Sequence, residues 1–428
     1  MQPIDISNTY IADLHIHSRY SRATSQQMNI QTIAYWACLK GIRLMGTGDF
    51  THPEWFSELR QSLEIAENGL YRPVEKADIL PETCDSDVYF VPSCEISCIY
   101  SKGGKTRKIH IVILMPTLED VAVFNSRLAQ IGNITSDGRP ILGMDAKALV
   151  ALSLDVTDRA LIIPAHAWTP HFSVFGAVSG FDSLQECFEE LTEHIYAIET
   201  GLSSDPPMNW MLSSLDNVLL VSNSDAHSPV KIGREANLIS APLSYDGLYK
   251  AIRTGEGFEG TIEFFPEEGK YHYDGHRNCN VCLSPEETAA HGGRCPVCGK
   301  KLTIGVAHRV YELSDRAYGE SHNGAKPYIS LIPLQEVIAE ALAVGPSSKK
   351  TQGMYMKMVS ELGPEFYILI EAPIEDIKTV AGETIAEGIN RMRQGRVQIR
   401  PGYDGEYGKI RIFEEPERVE LKGQIALF

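Results

Sequence analysis

Seven short apolar runs mark the first half of the chain, at residues 10–12, 42–46, 88–92, 108–114, 160–165, 196–198 and 218–222. Most are separated by helical or long linking segments. In the first of these, Ile30, Ile33, Ala34, Ala37 and Cys38 recur at helical spacing and Gly41 supplies a stop; residues 55–66 form a second. Short strands alternating with such segments predict an α/β fold, a parallel β/α barrel rather than a sandwich. Beyond residue 330 the apolar spacing lengthens. Residues 333–345 and 374–394 read as helices, with 346–350 as a polar loop.

Length and composition narrow the class. A chain of 428 residues outgrows one ordinary core, so two or three domains are expected. The sequence is 43% hydrophobic and 22% charged, with no apolar run long enough to span a bilayer and no basic-apolar leader, so a cytosolic protein without membrane contact is expected. The net charge of −17 argues against blanket nucleic-acid binding, but nearly all of it falls before residue 270 and the stretch after that is close to neutral.

Chemistry enters where the apolar runs end. The first run leads to Asp13-Leu14-His15-Ile16-His17-Ser18, whose two histidines project from one face of an extended segment and can reach one ion. Later runs lead to Asp49 and His52, Glu95, His166, Glu199, and Asp225-Ala226-His227, while His110 sits inside its run. Singly, each has a bland reading: Asp49 as a helix cap, Glu95 as a surface acid, His110 or His166 as a core histidine. Their joint placement at the ends of successive strands is what points to a metal centre. Mixed imidazole and carboxylate donors suit zinc or manganese, and paired ions of that kind activate water for hydrolysis of a phosphate ester.

The motifs D-L-H-I-H-S, G-D-F-T-H, the Glu of C-E-I-S, I-H-I-V, P-A-H and N-S-D-A-H resemble the polymerase and histidinol phosphatase (PHP) superfamily over residues 8–262. That resemblance implies a distorted seven-stranded barrel holding two or three divalent metals (Zn2+, Mn2+ or Mg2+). It implies His15, His17, Glu95, His110, His166, Asp225 and His227 as ligands, with Glu95 bridging. The chain departs from the superfamily at Arg22, where an Asp is usual, and at Asp49-Phe50 in place of Asp-His. Either Asp49 and His52 substitute as ligands, or a third metal is weakly held or absent.

Two CxxC pairs follow, Cys279/Cys282 and Cys295/Cys298, twelve residues apart. Four thiolates at this spacing predict a closed tetrahedral site for a structural zinc ion in a small ribbon. Beyond it, Arg391, Arg393, Arg396, Arg400 and Lys409 are interleaved with glycines and Tyr403, the residue types that meet phosphates and stack on bases. A solvated hairpin is the competing reading. The expected boundaries are 1–262 for the barrel, 263–310 for the ribbon, 311–415 for a helical and basic region, and 416–428 for a tail.

A barrel, a four-cysteine ribbon, then R-V-Y-E-L-S-D-R (Arg309 to Arg316) and P-G-Y-D-G-E-Y-G-K-I together resemble the endonuclease Q family along nearly the whole chain. The resemblance implies a metal-dependent repair endonuclease that cuts 5′ to a deaminated base (uracil, hypoxanthine or xanthine) or an abasic site, leaving a 3′-hydroxyl and a 5′-phosphate. Damaged DNA is the implied partner, with the lesion base flipped out and contacts from Arg309, Arg316 and the basic stretch. Asp225 and Glu95 are the expected catalytic carboxylates, and His171, in H-A-W-T-P-H-F-S, a candidate at the rim. Residues Gln424, Leu427 and Phe428 sit in a segment resembling the peptide that docks on the bacterial β sliding clamp, which implies a bacterial, nucleoid-associated setting. A small-molecule phosphoesterase leaves the ribbon and basic stretch unexplained; a non-catalytic adaptor between clamp and DNA fits Arg22 and Phe50.

Overall fold

The computed structural model describes residues 8–75, 80–84, 86–414 and 417. Strand Tyr10–Asp13 lies within the main sheet, parallel to Ile42–Gly46 on one side and antiparallel to Ala236–Ile239 on the other. Parallel order continues from Ile42–Gly46 to Tyr89–Val91. Then the pairing changes. Ser93–Lys102 and Lys105–Leu114 form a long antiparallel hairpin, and Lys105–Leu114 pairs antiparallel with Leu161–Pro164. Ala197–Glu199 and Leu219–Val221 are again parallel. The α/β class holds, but the all-parallel expectation gives way to mixed pairing. The reason is local: Gly103 and Gly104, at φ +62° and +72°, make a two-residue reversal, and so short a connection can only join antiparallel strands.

Alternation along the strands sorts two hydrophobic clusters. In Lys105–Leu114, Ile109, Ile111 and Ile113 face one cluster, while Val112 and Leu114 face the other together with Leu14, Leu44, Val91 and Ile163. His110 shares the parity of Val112 and Leu114, so it projects from that second face. The helix Ile30–Lys40 begins at Asn29, whose side chain accepts from Thr32 N, and ends at Gly41. The helix expected over 55–66 runs Pro53–Ser62 instead, and Leu63–Ile65 turns into an edge strand.

The chain after the ribbon returns to the barrel before becoming helical. Tyr328–Ser330 adds in parallel beside Phe258–Glu263, and five helices follow: Leu334–Ala341, Lys349–Glu361, Glu365–Ile370, Ile374–Ala381 and Glu383–Arg393. The expected loop at 346–350 is partly helix, because Ser348 caps it by accepting from Thr351 N. Gly382, at φ +89°, breaks the expected helix 374–394 in two. This bundle is fastened to the barrel by a buried Lys40–Glu365 ion pair at 3.2 Å, with Glu365 also accepting from Tyr355 Oη and Leu334 N. Among the described residues no helix is long and apolar enough to cross a membrane.

Candidate metal centre and active site

Two groups of side chains meet at the strand ends. His15, His17, Glu95 and Asp225 form one, and Glu95, His110 and His166 the other, with the donor atoms of each group within 4.8 Å of one another. Glu95 belongs to both. Its Oε1 lies 2.7 Å from His110 Nδ1 and 3.1 Å from His166 Nε2, and its Oε2 lies 3.3 Å from His17 Nε2 and 3.7 Å from His15 Nε2. Asp225 Oδ1 closes the first group at 3.1 Å from His17 Nε2 and 3.7 Å from His15 Nε2.

The histidines are aimed by carboxylates behind them. His15 Nδ1 contacts both oxygens of Glu199, at 3.0 and 3.1 Å, and His17 Nδ1 lies 2.9 Å from Asp49 Oδ1. Engaging Nδ1 turns Nε2 inward on both rings. Glu199 also accepts from His166 N and Asn223 Nδ2, so one carboxylate fixes two ligands. Asp13 accepts from Ser224 N and Oγ and from Gly233 N, which sets the turn presenting Asp225. Backbone strain is concentrated here: Asp49, His166 and Asp225 have φ of 50°, 31° and 46°. Gly48 permits the approach of these loops, since a Cβ there would lie 2.3 Å from Ile16 O.

The electrostatics call for positive charge. Burial alone would raise Glu95, yet the charges of His110, His15 and Arg139 hold its carboxyl well below the usual range. Burial pushes His110 down to about 4, against the pull of Glu95. Burial disfavours charge on His15 and His17 too, but Glu199 and Glu95 around one and Asp49 and Asp225 around the other raise both. His15 Nε2, His17 Nε2 and Asp225 Oδ1 are buried without any hydrogen bond. Leaving such an atom unpaired costs about 1–3 kcal/mol, so donors of this kind converging on one point fit divalent cations.

Several expected ligands stand elsewhere. Asp49 is spent on His17, Ser18 and Ser21 and supports a ligand rather than being one. His52 Nε2 bonds Thr135 O at 3.1 Å and the ring stacks on Tyr20, outside both groups. His227 lies beside the first group, its ring 4.5 Å from that of His17, with Nδ1 engaged by Asp225 O. His171 is exposed and outside both groups, although its neighbour Phe172 packs against His110 at 4.8 Å between ring centroids. Glu199 and Asn223 were not assigned from sequence; the position of Glu199 at a strand end was the available signal. Arg139, whose Nη1 lies 2.9 Å from Glu95 Oε2, gave no such signal.

The ribbon holds a second kind of site. Cys279, Cys295 and Cys298 converge within 4.8 Å, and the fourth donor is His276 rather than Cys282. Cys298 Sγ lies 3.6 Å from His276 Nδ1. Cys282 is instead in strand Val281–Leu283, paired with Gly275. Three thiolates and one imidazole are a ligand set that fits structural zinc, and it is this group, with Cys282 outside it, that the fold brings together.

Most of the expected DNA-contacting cations are already committed. Arg309 reaches Phe175 O, Phe181 O and Asp182, and Arg316 forms a two-point pair with Asp216. Arg391 pairs with Glu387 and Glu417, and Arg393 donates to Ile368 O and Leu369 O at the end of a helix. Arg396 reaches Gln394 and lies 3.6 Å from Glu387. Tyr403 is wedged against the ribbon, where a Cβ on Gly275 would fall 2.3 Å from its ring. Arg400 and Lys409 differ: they face each other across the hairpin Gln398–Arg400/Lys409–Arg411 and are exposed. Gln424, Leu427 and Phe428 lie outside the described residues.

Comparison with known proteins fits this arrangement. Residues 333–396 match the family described as the MJ0043 C-terminal domain. The protein MJ0043 of Methanocaldococcus jannaschii is 33% identical over 263 residues, covering 60% of this chain and 32% of its own length, so the chain spans about a third of that relative. YqxK of Bacillus subtilis (strain 168) is 32% identical over 417 residues, 94% of this chain and 98% of that one. The lesion-specific endonuclease PfuEndoQ of Pyrococcus furiosus superposes with a TM-score of 0.82 at 33% identity, covering 95% of this chain and 96% of that structure. Endonuclease Q bound to a 27-mer duplex with an abasic lesion at its active site gives 0.80 at 33% identity, covering 95% and 97%. With a third of the residues identical over almost the full length of those structures, the chain belongs to the endonuclease Q family.

Proposed function

We propose that the protein is a metal-dependent DNA endonuclease that cuts 5′ to a deaminated base or an abasic site, leaving a 3′-hydroxyl and a 5′-phosphate. The observation that carries this reading is the pair of ligand groups sharing Glu95, in a chain similar end to end to an endonuclease solved with lesion-bearing duplex DNA. Zn2+, Mn2+ or Mg2+ bound there would supply Lewis acidity toward the phosphodiester and lower the pKa of water. The protein's own part is positional. Glu95 ties the two ligand groups together, Asp225 faces both His15 and His17, and Glu199 and Asp49 hold the rings so that their Nε2 atoms face inward. Deaminated bases pair poorly, so extruding one costs less than extruding a normal base and part of the selectivity precedes any contact. Arg400 and Lys409, both exposed, would meet backbone phosphates, and His171, also exposed, would act from the rim.

A duplex carrying one deoxyuridine, deoxyinosine, deoxyxanthosine or abasic site, incubated with the protein and each metal, tests the reading. A nick 5′ to the lesion with ligatable ends is expected. Strands that stay intact at every metal concentration would overturn it. We further infer from residues 424–428 a contact with the bacterial β sliding clamp, placing the protein at replicating DNA. Phe428→Ala should abolish capture by the clamp while leaving nicking of free duplex unchanged; capture that survives removes this assignment.

A further inference from the structure

We propose that Arg139 is the phosphate-gripping cation of the metal centre, holding a non-bridging oxygen of the phosphodiester being cut. The inference rests on the phosphodiesterase reading above and adds a residue to it. Among the described residues, Arg139 is the only lysine or arginine in ion-pair contact with either ligand group, through Nη1 to Glu95 Oε2 at 2.9 Å. The side chain is 28% exposed, as is that of Asp225, while His15, His17, Glu95 and His110 are buried.

The loop carrying Arg139 is built to hold it there. Gly138 N donates to Tyr20 O at 3.0 Å, and Thr51 Oγ1 donates to Gly138 O at 3.3 Å. Asp137 accepts from the backbone N–H of Arg22 and of Arg139, and pairs with Arg22 Nε at 3.2 Å. Ser97 N donates to Pro140 O at 3.0 Å. A Cβ at position 138 would fall 2.4 Å from Asp49 Oδ2 and from Ser21 Oγ, so a larger residue there would displace those side chains.

A phosphate needs such a group here. The first 269 residues carry nearly all of the net charge of −17, and the centre itself is lined by Glu95, Asp225, Glu199 and Asp49. A polyanion entering this field meets repulsion that divalent cations held at the centre would offset and that a fixed guanidinium beside them would offset further. As water's oxygen bonds to phosphorus and the 3′-oxygen departs, negative charge grows on the non-bridging oxygens. A planar guanidinium offers them paired N–H donors, whereas an ammonium offers a point charge.

The test compares the parent with Arg139→Ala and Arg139→Lys, both loaded with Mn2+, using three readouts: metal content per chain, calorimetric affinity for inorganic phosphate, and single-turnover nicking of an abasic duplex. Arg139→Ala should keep the parent's metal content, bind phosphate at least tenfold more weakly, and nick roughly 10²–10³-fold more slowly, the scale seen when one donor to a developing oxyanion is removed. Arg139→Lys should recover part of both losses. Unchanged phosphate affinity in either variant would overturn the proposal. So would loss of barrel metals in step with phosphate affinity, because Arg139 would then merely hold Glu95. The phosphate titration uses no DNA, so it decides the role of Arg139 even if the parent proves inactive on lesions.

Discussion

At the barrel mouth, His15 Nε2, His17 Nε2 and Asp225 Oδ1 are buried atoms that make no hydrogen bond, whereas Arg309, Arg316, Arg391 and Arg393 nearer the end of the chain are met by carboxylates or backbone carbonyls. By sequence the second region advertised ligand binding more loudly, with a run of arginines among glycines and tyrosines. By structure it is the first that retains free valence for a ligand. The difference is one of energy: a cluster of unpaired donors is unfavourable unless something fills it, while these four arginines each have a partner away from that cluster.

That contrast can be broken at its strongest point first. Glu95→Gln should remove the shared ligand, leave about one zinc per chain at the ribbon by elemental analysis, and lower nicking by at least 10³-fold; retention of barrel metals would mean the two groups are not one centre. Glu199→Gln should be milder, weakening metal affinity roughly 10–100-fold by releasing His15, as for other groups that orient a ligating histidine.

The ribbon sharpens the same comparison. His276→Ala and Cys295→Ser should each lose the structural zinc, while Cys282→Ser should keep it. Cobalt substitution checks this, since the thiolate charge-transfer band should report three sulfurs rather than four. Zinc lost on Cys282→Ser and kept on His276→Ala would restore the four-cysteine reading.

At the basic end the effects are smaller and should separate by residue. Arg393→Ala should cost about 1–3 kcal/mol of stability, because two helix-end carbonyls lose their donor, without changing the salt dependence of DNA binding. Lys409→Ala should do the reverse, lowering the salt slope by about 1 with the melting temperature unmoved.

The smallest effect concerns Asp205, which burial pushes up to about 7 against the hydrogen bond from Met208 N. The unfolded chain ionises this carboxyl at its ordinary, lower pKa, so ionisation favours unfolding as pH rises, and the penalty levels off above about 7. Asp205→Asn can still cap the helix Pro206–Trp210. Its melting temperature should therefore gain on the parent between pH 5 and pH 8; a constant difference would refute the buried-acid account.

Much of this was legible in the chain alone. Strand ends carrying His15, His17, Glu95, His166 and Asp225 could be read because a strand's alternation and its exit point are local properties of a few residues. The same holds for the ribbon, whose cysteines lie close in sequence. His52 was misread because spacing from Asp49 cannot reveal that its imidazole would meet Thr135 O, 83 residues away. That most of the arginines have protein partners could not be read either, because counting cations does not count their partners.

What the sequence determined by itself was the inventory: most of the strands, the donor types near their ends and the knuckles of the ribbon. Tertiary structure alone decided which donors converge, that Glu199 and Asp49 stand behind the histidines, that His276 displaces Cys282, and that Arg139 reaches Glu95 from 44 residues away. The physical reason is range. Backbone conformation is settled by neighbours along the chain, but whether a polar group is spent or free depends on which distant group the fold brings within hydrogen-bonding reach of it.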